Sequence, residues 1–418
     1  MATGSVDGPV GRALWERADQ VLPGGGIYMT RSADFAGRGV VPGFIESADG
    51  CHVTDVDGRR YIDFVCANGP NLLGYLHPEV EAAARDQAHR CTSATLFPPS
   101  LVEVVEALLE RRKGFAWGVV AKNGSDVVTL AARVARQATG ARKLITFEQA
   151  YHGSDAELSP LAPAGVPPDR HDDVVRVAWN DADRLASLVG EIGSEIAAIL
   201  VNPLDQNPLQ PTQRAHPEFI SAIRQVREQT GCRLIIDDVR HGFRLHPQGS
   251  EVEMGLAPDL ICLGKALGNG YSISAVLGVE EVRPAAREIM FTATAMFETP
   301  PMAAAMATLE IYDRDNVFAT INRAGERLRD GFHRAAKTTG HEIVYSGPAT
   351  MPTFLFADDP RHRRLFAFAE KSAHLGAIFH PTVNWFISAA HTDAAIDEAI
   401  EIAHEAMASL EETTDDTH

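Results

Sequence analysis

Apolar residues recur along this chain with two different periods, and the change of period divides it. "PVGRALWERADQVL" spaces its apolar positions on one helical face behind a proline, which predicts an amphipathic helix from about Pro9 to Leu22. The stretch that follows, "PGGGIYMTRSADFAGRGVVPGF", is broken throughout by glycine and proline and predicts a loop. "FIESADGCHVTDVDGRRYIDF" then alternates apolar and polar residues around two Asp-Gly pairs, the pattern of a small β-meander.

From about Pro78 to Val279 short apolar runs alternate with helical segments. The runs are "WGVVAKN", "KLITFE", "VVRVAW", "IAAILVNP", "RLIIDD", "LICLGK" and "SAVLGV". Their length and their Val, Ile and Leu content predict a mostly parallel sheet covered on both faces. Another helical stretch begins at "PPMAAAMATLEIYDRDN", and an α+β pattern runs from Ile343 to about Leu410. The expected fold class is therefore α/β. A large domain over 78–300 holds the sheet, 301–418 forms a smaller α+β domain, and residues 1–77 join that smaller domain.

Composition narrows the function classes. The 418 residues are 45% hydrophobic and 22% charged, enough for more than one core, and the formal net charge of −18 disfavours nucleic acid or an anionic membrane surface as partner. The N-terminus lacks the features of a signal peptide, and no run of about 18 apolar residues suggests a membrane span, so a cytoplasmic protein is expected. Five scattered cysteines show neither a disulfide framework nor metal-ligand spacing.

In open α/β sheets ligands gather beyond the carboxyl ends of the strands, so the residues there carry the candidate chemistry. Asp237 and Asp238 end one run; the pair is a solvated turn or cap, or a carboxylate held for a cationic ring nitrogen, and alone it leaves both open. Gly124, Ser125 and Asp126 precede an Ala-rich helix, which is either an anion site or an ordinary cap. Tyr151 and His152 follow another run, where an aromatic face stacks on a flat cofactor or fills the core.

Lys265 interrupts the apolar, glycine-rich "ICLGKALGNGYSISAVLG". A desolvated amine loses its proton more readily and becomes a nucleophile, whereas a surface lysine merely snorkels to water. Together and in this order, the features match the needs of pyridoxal 5'-phosphate (PLP): an anion cradle, a carboxylate for the pyridine nitrogen, a stacking face and an amine for a Schiff base. No Walker A or GxGxxG run supports a nucleotide.

These residues, with "VTDVDGRRYIDF", "NLLGYLHPEV", "KNGSDV", "ARQATGARKLITFEQAYHG", "IIDDVRHGFR", "PDLICLGKALGNGYSISAVLG" and "WFISAAHTD", resemble the class III aminotransferases of fold type I, most closely the glutamate-1-semialdehyde aminomutase branch. The resemblance implies that Lys265 forms the Schiff base and moves a proton between substrate Cα and C4′. It implies that Asp237 binds the pyridine N–H. Gly124 and Ser125 would hold the phosphate within the motif that includes Asp126, Tyr151 would stack on the ring, and Asn207 would lie close to the cofactor. Thr294 would reach the phosphate of the neighbouring subunit in a homodimer. Arg31 would bind a substrate carboxylate, and Asn68 and Asn384 would shape the substrate pocket.

The implied partners are a small-molecule amino donor and a keto or aldehyde acceptor, in a specialised biosynthetic setting. Departures from the family pattern are Asn202-Pro203 where Glu-Pro is usual, Asp238 for glutamate, Asn68 for tryptophan and Glu298 for a neutral residue, with a shortened segment around Asn384. The altered segment favours transamination, which must release one product and admit a second substrate. An aminomutase or epimerase using the same lysine, and a PLP-binding protein without turnover, are the alternatives.

Overall fold

The computed structural model describes residues 5–23, 38–158, 164–205 and 207–410. They form two compact units, one from the chain before 78 with 208–211 and the chain from 319 onward, the other from 78–207 and 212–318.

In the first unit the helix Pro9–Val21 precedes a meander of β1 (Ile45–Asp49), β2 (His52–Asp55) and β3 (Arg60–Asp63). Both Asp-Gly pairs are the turns: Gly50 and Gly58 sit at φ of 56° and 84°, where glycine carries no Cβ penalty. The second turn also serves the helix. Asp57 accepts the amides of Val10 and Gly11 at 2.8 and 2.9 Å, satisfying donors that the first helical turn leaves over.

The second unit is built on the seven expected runs. They form β4 (Trp117–Ala121), β5 (Lys143–Phe147), β6 (Val174–Val177), β7 (Ile196–Val201), β8 (Arg233–Asp237), β9 (Leu260–Leu263) and β10 (Ser274–Gly278). Their spatial order is β4-β10-β9-β8-β7-β5-β6, and all neighbours are parallel except β10, which is antiparallel to both β4 and β9. β7 is buried along its whole length, and so are β9 and β10, as two covered faces require. The helix Gly124–Thr139 lies on the sheet through Val127, Val128, Ala131, Val134 and Ala135, whose mostly small side chains permit close approach.

The helix Pro300–Arg314, which the sequence pattern grouped with the C-terminal domain, belongs to this second unit and packs on the helices Pro78–Arg90 and Pro99–Arg111. The chain returns to the first unit along the helix Val317–Thr339, the hairpin of β11 (Ile343–Ser346) and β12 (Thr353–Phe356), and the helix Arg363–Leu375. A short β13 (Ala377–Ile378) joins β3 in parallel, and the helix Asp393–Ala408 follows. Phe332, Phe354, Phe368, Phe379 and Trp385 form one aromatic core there, with ring centroids 4.6–6.0 Å apart.

Candidate active site

Apart from Thr294, the candidates in the second unit lie at or follow the carboxyl ends of sheet strands. Leu263 ends β9, Gly264 follows, and Lys265 adopts φ 44° at the start of a single 3₁₀ turn, Lys265–Gly268. A left-handed conformation is costly for a side chain with a Cβ and is found where function demands it. The lysine keeps limited access to solvent, yet burial pushes its amine down to about 7. The Arg240 guanidinium adds to the shift and Asp237 opposes it. Burial also pushes Arg240 itself down to about 10, against the pull of Asp205.

Asp237 is the last residue of β8 and is buried. Its Oδ2 lies 2.8 Å from His152 Nδ1, its Oδ1 accepts the Val239 amide at 3.2 Å, and its main-chain carbonyl accepts Asn202 Nδ2 at 3.4 Å. Asp238 pairs with a different partner. It meets buried Arg112 at 3.3 Å, and Arg112 also donates to Glu251 at 2.6 Å. Burial raises the Asp238 carboxyl to about 7 in spite of Arg112. The two adjacent acids thus have separate work: one faces His152, and the other anchors the loop that follows.

The candidate anion cradle is the start of the helix Gly124–Thr139. Asp126 closes a capping box, accepting the Asn123 amide at 2.8 Å, which fixes the first turn of the helix. Ser125 Oγ accepts the Ser154 amide at 3.0 Å, which joins the loop after β5 to the same place. Gly153 is at φ 98°, and a Cβ there would fall 2.3 Å from Ser125 Oγ. A Cβ on Gly124 would fall 2.8 Å from Val239. Both glycines keep room beside the first-turn amides, which have no intrahelical acceptor.

Tyr151 is 45% exposed, and burial of its remainder together with the charge of Asp237 raises its phenol. It therefore sits near Asp237 with much of its surface uncovered. Asn207 donates its amide to Asp205 at 3.1 Å. Thr294 is exposed at the start of the turn Thr294–Phe297. Just beyond it Glu298 pairs with Lys122 at 3.0 Å, which gives the unusual charge at 298 its partner.

Arg31 lies outside the described residues. Asn68 and Asn384 belong to the first unit. Asn68 is the third of four successive residues with positive φ, Cys66 to Gly69 at 47°, 56°, 70° and 100°. Asp63 holds this turn by accepting the amides of Val65 and Cys66 at 2.8 and 3.0 Å and the Tyr75 hydroxyl at 2.7 Å. Asn384 is buried and donates its Nδ2 to Thr353 Oγ1 at 2.9 Å.

The class-III aminotransferase family model matches residues 35–407. This chain is a class-III aminotransferase. It is 37% identical to the aminopentol aminotransferase of Sphingopyxis macrogoltabida over 95% of this chain and 93% of that protein. It is 32% identical to the glutamate-1-semialdehyde 2,1-aminomutase of Chloroflexus aggregans over 96% and 98%. The FumI protein of Sphingopyxis sp. MTA144, solved in its PLP internal aldimine form, superimposes with a TM-score of 0.93 at 36% identity, covering 96% of each chain.

The aminotransferase uses PLP, and its residues fit that cofactor. The partly accessible amine of Lys265, the Asp237 carboxylate, the glycine-lined helix start and the uncovered Tyr151 supply the four kinds of group that PLP requires. Sequence reasoning named each of them as a candidate, but it missed three contacts around them. These are His152 to Asp237, Asn202 to the Asp237 carbonyl, and Arg240 beside Lys265. All three bring together residues far apart in the chain.

Proposed function

We propose that this aminotransferase moves an amino group from an amino acid to a keto or aldehyde acceptor at a site whose proton carrier is Lys265. The observation that carries the reading is the desolvated amine of Lys265, lowered to about 7 beside Arg240 and Asp237. Such an amine is neutral for much of the time near neutrality, so it attacks a carbonyl and accepts a proton. When bound, PLP supplies an electron sink that makes the substrate Cα–H bond acidic.

Lys265 would carry the proton taken from the substrate Cα. Asp237 would accept the N–H of the cofactor's ring and favour its positive charge. The first-turn amides of Gly124 and Ser125 would bind the phosphate, Tyr151 would stack on the ring, and Asn207 would contribute close to the cofactor. Arg31 receives a substrate carboxylate through its two-point fork, and Asn68 and Asn384 line a polar pocket. Thr294 serves the phosphate site of the partner in a homodimer, a reading supported by its exposure. Five free cysteines are in keeping with the cytoplasm.

The decisive experiment mixes the PLP-loaded protein with single amino donors and follows the visible absorbance. Loss of the lysine-bound band on addition of one amino acid, restored by a keto acid, is the expected result. Formation of an isomeric amine from one substrate with its nitrogen retained, and with no acceptor present, would replace transamination by an aminomutase reaction.

A further inference from the structure

The turn Thr294–Phe297 carries the threonine proposed to serve the partner's phosphate, and it is held from its far side. The chain leading into it, 289–293, has neither helix nor strand, and Thr292, Ala293 and Thr294 are exposed. Beyond them Met296 is buried. The Ala94 amide donates to the Phe297 carbonyl at 3.1 Å and the Thr299 amide to the Thr92 carbonyl at 3.1 Å, while Glu298 forms an antiparallel bridge with Ser93. These main-chain bonds hold the turn to 92–94.

The Glu298 side chain makes a different connection. Its Oε2 meets Lys122 Nζ at 3.0 Å. Lys122 follows the last residue of β4, and its amide donates at 3.3 Å to Asp126 Oδ2, the oxygen that also accepts the Asn123 amide. The lysine is thus part of the chain that shapes the candidate anion cradle. Its side chain is 11% exposed against 45% for the glutamate, so the pair is less open to screening by salt than one between two fully solvated charges.

We propose that Lys122 and Glu298 are positioning residues that act across the dimer. Their ion pair ties the turn bearing Thr294 to the cradle of its own chain, and so sets the place at which that threonine enters the partner's phosphate site. The main-chain bonds fix the turn along 92–94, and the ion pair fixes it relative to the cradle. One stretch of chain, 122–126, thereby shapes the phosphate site of its own subunit and steadies the residue lent to the other. This inference deepens the role proposed above for Thr294 and rests on it.

The test uses mixed dimers of full-length chains in which one subunit carries Lys265→Ala, so that the lysine-bound absorbance band reports only the site of the other. Glu298→Gln, which keeps the side chain's size, is placed in either subunit and PLP is titrated. In the Lys265→Ala subunit it is expected to raise the PLP dissociation constant of the reporting site about fivefold, the upper range for a partly exposed ion pair. In the reporting subunit it is expected to leave that constant unchanged. No loss from the first placement, or an equal loss from both, overturns the inference. Lys122→Met in the Lys265→Ala subunit is expected to give the same loss, and the two substitutions together no more than either alone; additive losses would show that the residues act separately and also overturn it.

The two readings fail separately. Thr294→Val in the Lys265→Ala subunit without any loss at the reporting site would remove the role of Thr294. A loss from Thr294→Val with none from Glu298→Gln would keep that role and remove the ion pair from it.

Discussion

The chemistry of Lys265 depends on the few ångströms around its amine. Because burial and the Arg240 charge hold it near 7, attachment of PLP to the apoprotein is expected to accelerate through a midpoint near pH 7 and then level off. An ordinary lysine would give a rate still climbing toward its usual value of 10.5, and stopped-flow absorbance distinguishes the two. Arg240→Met removes a positive neighbour, so the midpoint is expected to move upward. Lys265→Ala is expected to fold and bind PLP without the lysine-bound band, and to lose almost all turnover. Lys265 and the Asp237-Asp238 pair stood out in the sequence because each puts polar groups at the end of an apolar run. His152 could only be read as a ring, since its contact with Asp237 spans 85 residues. The positive φ of Lys265 was hidden as well, because the glycines on which the eye settles there are Gly264, Gly268 and Gly270.

At the scale of elements, all seven sheet strands could be found from their apolar runs, but the direction of one could not. Nothing in "SAVLGV" distinguishes β10 from a parallel strand. The segment of 264–273 between β9 and β10 supplies the reason for its reversal, since a parallel return needs a crossover of about a dozen residues or more. The boundary near residue 300 was misplaced for a related reason: a helix pattern records an apolar face but not the partner it covers. Two element-level tests follow from the loops after β5 and β8. Gly153→Ala is expected to weaken PLP binding in an absorbance titration while leaving the far-UV spectrum intact, because its Cβ would collide with Ser125 at a positive φ. Arg112→Met would leave Asp238 and Glu251 facing each other without their cation, at a cost of about 3–5 kcal/mol in urea unfolding. Arg112→Lys, which keeps the charge, is expected to cost less.

For the whole molecule, the proposed exchange of Thr294 between subunits makes a prediction that no single chain can satisfy. Mixed dimers of Lys265→Ala and Thr294→Val are expected to recover one intact site, with PLP bound as tightly as in wild type at up to half of all sites. Mixed dimers that recover no intact site although Thr294→Val homodimers bind PLP poorly, or Thr294→Val homodimers that bind it as tightly as wild type, would place Thr294 outside the partner's site. The division of the chain has a further consequence. The groups proposed to hold PLP and move protons lie in 78–207 and 212–318, whereas the proposed substrate residues Arg31, Asn68 and Asn384 are carried by the chain before 78 and after 318. Mutation can therefore act on the two sets independently, and a lineage bearing this fold can change its diet without relearning its chemistry.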